Sequence, residues 1–467
     1  MSLPASFFNG LFVFFFGYYL LLVTFSVFQG VNGIFESRRR SRQKSVENYT
    51  EQYLSPLIIS VTVIIPAHNE ELWIRDSLLS VINLNYPKFD VIVVDDGSTD
   101  GTFAILEELL ELRQADVYYV RHHKDAQIKT LYRSARHPNV TVLRKDSGKK
   151  KAGALNAGLN IAEGQYICVM DADTVLEPNA LSDIMLHVGR DPDRIIGAES
   201  YFGLANGFGI RDGKIVRRHF SLKPLIAYQN LEYIRSFIGN RVAWSRYNVL
   251  PIVAGGFGVW RRDVLYDFGG YSTEFTCEDL ELTFKAREYI ANNRDKDYRI
   301  LSLPYCVGWT EGPGDVRSLV SQRERWQRVV NEVIWKYKYM LFNPRYGLFG
   351  FLAVPYYVFY EVGGVFIELA SLATAVWGWL AGLMSLKVFL AFTILMVMTQ
   401  VFISVIAVFA FVVSQRVLTV RYALYLIVLA FLEFFMYRWL LCAAKIQGCV
   451  NSVRGMRSFN QYTRSKR

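Results

Sequence analysis

Cysteine is scarce. The 467 residues hold five, Cys168, Cys277, Cys306, Cys442 and Cys449. The count is odd and no two form a C-x-x-C pair, which excludes a disulfide framework and a thiolate zinc site and leaves reduced thiols. Histidine is nearly as sparse, with six residues, and His122, His123 and His137 lack the mutual spacing of metal ligands. Glycine is missing where a dinucleotide site needs it. A Rossmann unit carries G-x-G-x-x-G after its first strand; here that position reads PAHNEE (66–71), and GGFGVW (255–260) comes too late in the chain. NAD and FAD are thereby excluded. A basic start is also lacking: the first residues are uncharged and the basic run follows the first apolar stretch, the reverse of a secretory signal peptide.

Apolar residues are plentiful. The chain is 52% hydrophobic and 15% aromatic, with a net charge of +10. Its lysines and arginines cluster beside the apolar stretches, which suits an anionic membrane face and argues against nucleic acid. Residues 7–29 carry no charge and are long enough to span a bilayer. Arg38, Arg39, Arg40, Arg42 and Lys44 follow, so the positive-inside rule puts the N-terminus outside and the next domain in the cytosol. The expected organisation is a transmembrane helix (1–30), a basic juxtamembrane linker (31–54), a cytosolic domain (55–340), about four transmembrane helices (341–444) and a basic cytosolic tail (445–467). The four spans fall near 347–368, 369–386, 388–413 and 422–444. Glu361, Glu368 and the Gly363–Gly364 pair interrupt the first two, and one could be re-entrant or interfacial. An even number returns Lys445, Arg454, Arg457, Arg464, Lys466 and Arg467 to the cytosol and leaves Arg416 and Arg421 outside. Glu361, Glu368 and Glu433 either line a path or pair with Arg438 or interface water. The expected location is the cell membrane, with a multi-pass topology.

The soluble segment reads as α/β. VTVIIPAHNEE (61–71), FDVIVVDDGSTDGT (89–102) and ALNAGLNIAEGQYICVMDADT (154–174) each carry an apolar strand ending in a polar, acidic loop. Such repeats predict a doubly wound parallel sheet with ligands at the carboxyl ends of its strands. Ser98 or Asp100 is expected to cap the second helix. SYFGLANG and HHKDAQIKTLYRSARHPNV read as insertions, the latter a basic surface loop.

Within DAD, Asp171 and Asp173 lie two apart at a strand end and point to one side. Two close carboxylates call for a cation, and a hard divalent ion bridging to a diphosphate suits them. Lys149, Lys150 and Lys151 precede a small-residue helix, whose N-terminus can hold phosphate; Lys151 is the candidate. In TCEDLELTFKARE, Glu278 and Asp279 open a helix. Asp279 is either its cap or a general base for an acceptor hydroxyl. SQRERWQRVV (321–330) places Gln322, Arg325 and Trp326 on one helical face, with Arg323, Glu324, Gln327 and Arg328 elsewhere. That face is either a ligand surface or an interface anchor.

PAHNEE, DDGSTDGT, KAGALNAGL, DADT, GGFGVWRRD, TCEDLELT and QRERW, in that order, resemble the membrane-embedded family-2 glycosyltransferases: cellulose, chitin, hyaluronan and poly-N-acetylglucosamine synthases. The resemblance covers residues 61–330 and implies a GT-A-type cytosolic domain joined to a transmembrane α-helical region. It implies that Asp96, with Ala67 and His68, contacts the nucleoside and Lys151 the diphosphate. Asp171 and Asp173 would bind Mg²⁺ or Mn²⁺, with Asp173 the more direct ligand. Asp279 would be the catalytic base. Gln322 and Arg325 would steady the leaving diphosphate, Trp326 would stack on the acceptor sugar, and Gly255, Gly256, Phe257 and Glu278 would border the acceptor pocket. Val329 departs from the small residue common there and would narrow that entrance. The tail leaves no room for a fused cyclic-dinucleotide sensor.

The expected activity is inverting transfer from a nucleotide sugar, UDP-linked, to a growing β-linked polysaccharide, processive and secreted through the protein's own spans. The alternatives are a single transfer to a lipid-linked acceptor and, from another class, a transporter or receptor. The implied partners are the donor, a polysaccharide or lipid-linked acceptor and the bilayer.

Overall fold

The computed structural model describes residues 5–46, 58–116, 119, 122–123, 127–148, 150–415 and 417–455. Lys149, Arg416, the expected linker from 47 onward and the tail from 456, with Arg457, Arg464, Lys466 and Arg467, lie outside the described residues.

Helix α1 (Ala5–Val46) runs unbroken through the uncharged stretch and into the basic one. The segment expected as a linker is therefore helical to Val46, and its charges are used. Glu36 is buried and accepts from the Nε of Arg39 and of Arg40, each at 2.8 Å. Lys44 pairs with Asp183 at 2.6 Å. The Tyr305 hydroxyl donates to the Arg40 carbonyl at 2.7 Å, so it accepts from His187 Nε2 at 2.8 Å. Burial, then Arg40, pushes His187 down to about 3, and the ring is neutral. The basic run thus clamps α1 to the sheet domain.

The sheet strands are β1 (Val61–Ala67), β2 (Phe89–Asp95), β3 (Leu112–Ala115), β4 (Thr130–Ser134), β5 (Val140–Arg144), β6 (Tyr166–Met170), β7 (Val175–Leu176) and β8 (Ile195–Leu204). A hairpin of β9 (Gly209–Arg211) and β10 (Lys214–Arg217) follows, then β11 (Phe257–Arg261) and β12 (Arg299–Thr310). The ten-stranded order is β3-β4-β5-β2-β1-β6-β11-β8-β12-β7. β5, β2, β1 and β6 are parallel, as the apolar runs predict. β11 runs antiparallel between β6 and β8, and β3–β4, β4–β5 and β12–β7 are antiparallel too. The sheet is mixed, a correction to the wholly parallel expectation. Both expected insertions contain sheet strand: β4 lies in the histidine-rich stretch, which ends where β5 begins, and the first five residues of SYFGLANG close β8, buried along its whole length. A strand buried on both faces shows no alternation, and charged neighbours hide it.

The helices of this domain are α2 (Ile74–Ile82), α3 (Thr102–Leu110), α4 (Lys151–Ile161), α5 (Ala180–Val188), α6 (Pro224–Ile234), α7 (Val242–Arg246), α8 (Arg262–Asp267), α9 (Asp279–Asn292) and α10 (Val316–Lys336). After them come α11 (Gly364–Leu380), α12 (Leu386–Gln415), α13 (Val420–Leu432) and α14 (Tyr437–Val453). Among the described residues, α1 and α12 are each long and apolar enough to cross a membrane. Phe349–Val362 with α11 forms a pair bent by 51°, and Val420–Phe435 with α14 a pair bent by 57°, for up to four crossings in all. Up to three of these candidate crossings follow the sheet, beside the four expected there. The first two expected ones merge into a pair broken at Gly363, where π-helical turns and the loss of a side chain relax the ladder.

Gln415, Tyr425 and Tyr437 each hold the C-terminal helices against the sheet domain. The Gln415 carbonyl accepts from Cys306 N at 3.0 Å, Tyr425 donates to Leu222 O at 2.8 Å, and Tyr437 donates to Glu232 at 2.5 Å. Arg421, expected on the far side, opens the helix that makes these contacts. The three acids in the apolar region are all paired: Glu361 with Lys445 at 3.0 Å, Glu368 with Arg438 at 2.5 Å and Glu433 with Arg235 at 2.7 Å. Pairing is the reading that holds.

Candidate active site

β1, β2, β5 and β6 are parallel, so their carboxyl-end loops converge at one edge of the sheet. At the β1 and β2 ends, the buried Ala67 accepts from Asp96 N at 2.8 Å, and His68 Nδ1 donates to the Asp96 carbonyl at 2.9 Å. Ala67 therefore offers only backbone. The two acids of DDGSTDGT divide the work. Asp95 is fully buried and accepts from Ser98 N and Arg144 Nε, holding the turn. Asp96 is reached by the Lys145 ammonium and by Gly148 N at 3.1 Å. Gly97 has φ +69°, and a Cβ there would come within 2.6 Å of Ser147 N, so the close approach of the two loops requires glycine. The N-cap of α3 is Gly101, a correction to Ser98 or Asp100; Asp100 accepts from Thr102 N at 3.0 Å, and Ser98 accepts from Asn69 N. Lys145 is the residue missed by sequence reasoning, because the lysine run at 149–151 drew the argument away from a single lysine directly after a strand.

At the β6 end, Lys151 opens α4 and forms the hub. Its Nζ lies 2.6 Å from Asp171 Oδ1 and 2.9 Å from Glu278 Oε1, and it donates to Gly255 O at 2.9 Å. Burial opposes its charge, but Asp171 and Glu278 outweigh it and hold the ammonium above its ordinary range. Glu278, expected at the acceptor pocket, is buried and engaged by this lysine. Asp173 is buried and accepts from the Thr310 hydroxyl at 3.1 Å; burial, then the Asp171 charge, pushes it up to about 7. Asp279 takes a hydrogen bond from Gly255 N at 3.1 Å and one from the adjacent Leu280 N at 2.8 Å. It makes no cap further along α9, so the helix-cap reading fails. Burial, then Glu278, raises its pKa, with Lys151 offsetting part.

Gly255 has no room for a side chain: a Cβ would lie 2.9 Å from Glu278 Oε1 and 3.1 Å from Lys151 Nζ. Gly256 packs on the Phe202 ring, and Phe257 is fully buried in β11. Of the three expected at the acceptor pocket, Gly255 meets the charged side chains of the cluster, and the Gly256 carbonyl accepts from Asp171 N at 3.4 Å. The other two set the loop. Behind them Glu199, fully buried, accepts from Ala254 N at 2.8 Å and pairs with Arg241 at 2.9 Å.

On α10 the expected face is partly redrawn. Gln322 is buried, and its carbonyl accepts from the Arg323 guanidinium, which also pairs with Glu232 at 2.6 Å. Arg323, expected to point elsewhere, lies over the Trp326 ring at 4.2 Å; the i,i+3 spacing makes those two neighbours as well. Trp326 is 40% exposed. Arg325 sits close enough to Cys277 to act on its thiol, which burial pushes up to about 12. Val329 is buried in the core with Leu280 and Phe284 and narrows no entrance, a correction. Asp171, Asp173, Lys151, Glu278 and Asp279 converge, with Asp96 and Lys145 one loop away.

Two carboxylates at one strand end supply hard oxygen donors that fit a divalent cation. Among the described residues no group of three His, Cys, Asp or Glu side chains could hold a metal by itself, so a bound ion would take its other ligands from phosphate and water.

Residues 62–268 match the family described as glycosyl transferase family 2, and residues 166–441 match glycosyl transferase family group 2. The chain is 28% identical over 309 residues to a probable glycosyltransferase, YdaM, of Bacillus subtilis (strain 168), covering 65% of this chain and 64% of that protein. It is 25% identical over 275 residues to the poly-β-1,6-N-acetyl-D-glucosamine synthase of Staphylococcus epidermidis, covering 59% of this chain and 55% of that one. The chain thus spans less than two thirds of the length of these curated relatives. Among solved structures, a mannosyltransferase of Pyrobaculum calidifontis in complex with GDP-Man and Mn²⁺ aligns over 92% of this chain and 99% of its own, with a TM-score of 0.49 and 18% identity. With the second family match alone running from 166 to 441, over half of the chain, and an acidic, lysine-centred site at the strand ends, the protein belongs to the family-2 glycosyltransferases.

Proposed function

We propose that this glycosyltransferase is an inverting membrane enzyme that moves a sugar from a UDP-linked donor onto a growing β-linked polysaccharide, processively, and passes the product through its own spans. The observation that carries the reading is the Asp279 carboxylate. It is held by Gly255 N 3.1 Å away, beside the Lys151–Asp171 pair, where a base and a diphosphate would have to meet. A single in-line displacement needs one base, a stabilised leaving group and a held acceptor.

Asp279 takes the proton from the acceptor hydroxyl as it attacks. Its raised pKa makes it a stronger base than an exposed carboxylate, and the Gly255 amide fixes its direction. Lys151 balances the diphosphate charge, and Gln322 and Arg325 steady the leaving group. Ala67, His68 and Asp96 shape the nucleoside end. Asp171 and Asp173 are the residues that would hold Mg²⁺ or Mn²⁺, which when bound neutralises charge on the leaving diphosphate. The acceptor sugar lies on the exposed part of Trp326, whose second face carries Arg323. Gly255, Gly256, Phe257 and Glu278 form the wall behind it. The S. epidermidis relative is a polysaccharide synthase by name, and this supports the polymer as acceptor over a lipid-linked one.

The catalytic domain (55–340) is cytosolic in this reading, in a multi-pass protein of the cell membrane. Purified enzyme given labelled UDP-sugar and Mn²⁺ should yield a polymer. A product of one sugar on a lipid would overturn processivity. Asp279→Asn should lower kcat about 10²–10⁴-fold with KM little changed; full turnover in that variant would remove Asp279 as the base.

A further inference from the structure

The β9–β10 hairpin contributes no residue to the transfer site. Its RDGK turn holds Asp212 and Gly213 at φ +49° and +72°, the tight turn that glycine allows. Gly213 closes on α2, where a Cβ would come within 2.4 Å of Ser80 N. Beyond its other end the chain meets α13. Phe220 stacks on Tyr422, 4.9 Å between centroids, and Tyr425 donates to Leu222 O at 2.8 Å. Hairpin and helix are fixed to each other and form one surface.

That surface is apolar. Ile215 pairs with Ile210 and Arg217 with Gly209, so Val216 bulges from the ladder. Val216 is 67% exposed and Leu222 60%. Along α13, Val420, Leu424, Val428 and Leu432 recur every four residues on one face, and all are exposed. The opposite face, with Tyr422, Leu426 and Leu429, is buried in the core of the sheet domain. With 13 residues, α13 is too short to cross a bilayer alone. It lies along α12, which is long and apolar enough to cross, and on which Phe402, Phe409 and Val413 are exposed as well.

Cations rim this face at the hairpin end. Arg217 follows Val216, Lys223 follows Leu222 and Arg421 follows Val420, and all three are exposed. Among the described residues none of the three is ion-paired, whereas Arg218 is held by Glu177 at 2.6 Å. The one acid of the hairpin, Asp212, stands at the far turn. An apolar stripe with a cationic rim suits a membrane interface, and anionic headgroups are its charge complement. Continuity with the exposed face of α12 selects lipid over an acidic protein. We propose that Arg217, Lys223 and Arg421 bind anionic phospholipid headgroups on the catalytic domain's side, while Val216, Leu222 and the α13 stripe sit among the acyl chains. The sheet domain is thereby held to the bilayer at a second place, apart from α1. This rests on the reading of the chain as a membrane enzyme.

The test uses the full chain in lipid nanodiscs, with a bimane label on Val216→Cys and brominated phosphatidylcholine as quencher, read above the signal of the parent's own cysteines. Discs that also contain phosphatidylglycerol should quench the label several-fold more than discs without it. A cation near an anionic surface favours it about fivefold. Lys223→Gln and Arg421→Gln should therefore each raise the phosphatidylglycerol needed for half-quenching about fivefold. Lys223 makes no side-chain bond to cap α6, so its exchange leaves the fold intact. Added salt should weaken the phosphatidylglycerol effect in the labelled protein without either variant. The headgroup site is overturned by no quenching with phosphatidylglycerol, by equal quenching without it, by unchanged lipid dependence in both glutamine variants, or by insensitivity to salt. A second label on Ile394→Cys, exposed on α12, should be quenched in either lipid. Failure there overturns the membrane placement itself, and failure at Val216→Cys alone overturns the headgroup site and leaves the transferase reading untouched.

Discussion

Asp90 opens the core stretch of β2, five and six residues before the acids at its far end, and accepts from the Thr62 hydroxyl at 3.0 Å. Burial pushes it up to about 6 from 3.8. Its folded pKa is raised, so the native state binds the extra proton between those values; the associated stability is full below about 3.8 and is lost as pH rises through about 6. Asp90→Asn keeps an oxygen for Thr62 and removes the charge. Its melting temperature should exceed the parent's at pH 7.5 and match it near pH 4, as thermal scans in detergent would read. A gain equal at both pH values would show that the buried charge is not the cause. An acid at a strand end is thus not informative by type alone. Asp90 and Asp95 lie on one strand and Asp96 directly follows it. The first is a buried cost, the second holds a turn, and the third faces the site. Sequence pattern singled out Asp96, Asp171 and Asp173 because they follow apolar strands, and Asp279 because it opens a helix. It did not reveal Lys145, whose pairing with Asp96 depends on β5 lying beside β2.

At the scale of elements, α10 is placed by α14. Gly448 lets the two helices meet closely, and a Cβ there would come within 2.7 Å of Gln327 Cβ and of the Glu324 carbonyl oxygen. Asn451 then donates to Glu324 at 2.9 Å. Gln322, Arg325 and Trp326 ride on the same helix. Gly448→Val should cost about 1–3 kcal/mol by overpacking and raise the acceptor KM, with Gly448→Ala milder. Denaturation of the detergent-solubilised chain measures the first, and a variant as stable as the parent would show that the helices do not meet this way. The amphipathic pattern of α10 was legible, and so was a polar–cationic–aromatic face. What lay on that face was less so. Helical spacing makes Arg323 a neighbour of Trp326 as readily as it joins Gln322 to Arg325, and the choice was made by Glu232, brought in from α6.

For the whole molecule, the proposed topology takes α1, the Phe349–Leu380 pair and α12 as crossings, while α13 and α14 pack against the catalytic domain. We propose three crossings, which leave α13, with Arg421, on the same side as the catalytic domain. Ser385→Cys, in the turn before α12, should react with an impermeant maleimide in intact cells above the parent's level. Val453→Cys, at the end of α14, should react only after permeabilisation. Labelling of Val453→Cys in intact cells would overturn this topology.

The apolar runs, the acid-ended loops, the basic stretch after residue 37 and the order of the family motifs were determined by the sequence alone, because each depends on neighbours along the chain. Strand sense, the docking of α1 through Glu36 and His187, the Lys151 hub, the fate of Glu361, Glu368 and Glu433 as ion-paired acids, and the burial of Val329 were decided by the tertiary structure. Each of those depends on which surface meets which across tens to hundreds of residues. A carboxylate in a sequence carries no mark of whether a lysine or an arginine will be folded against it.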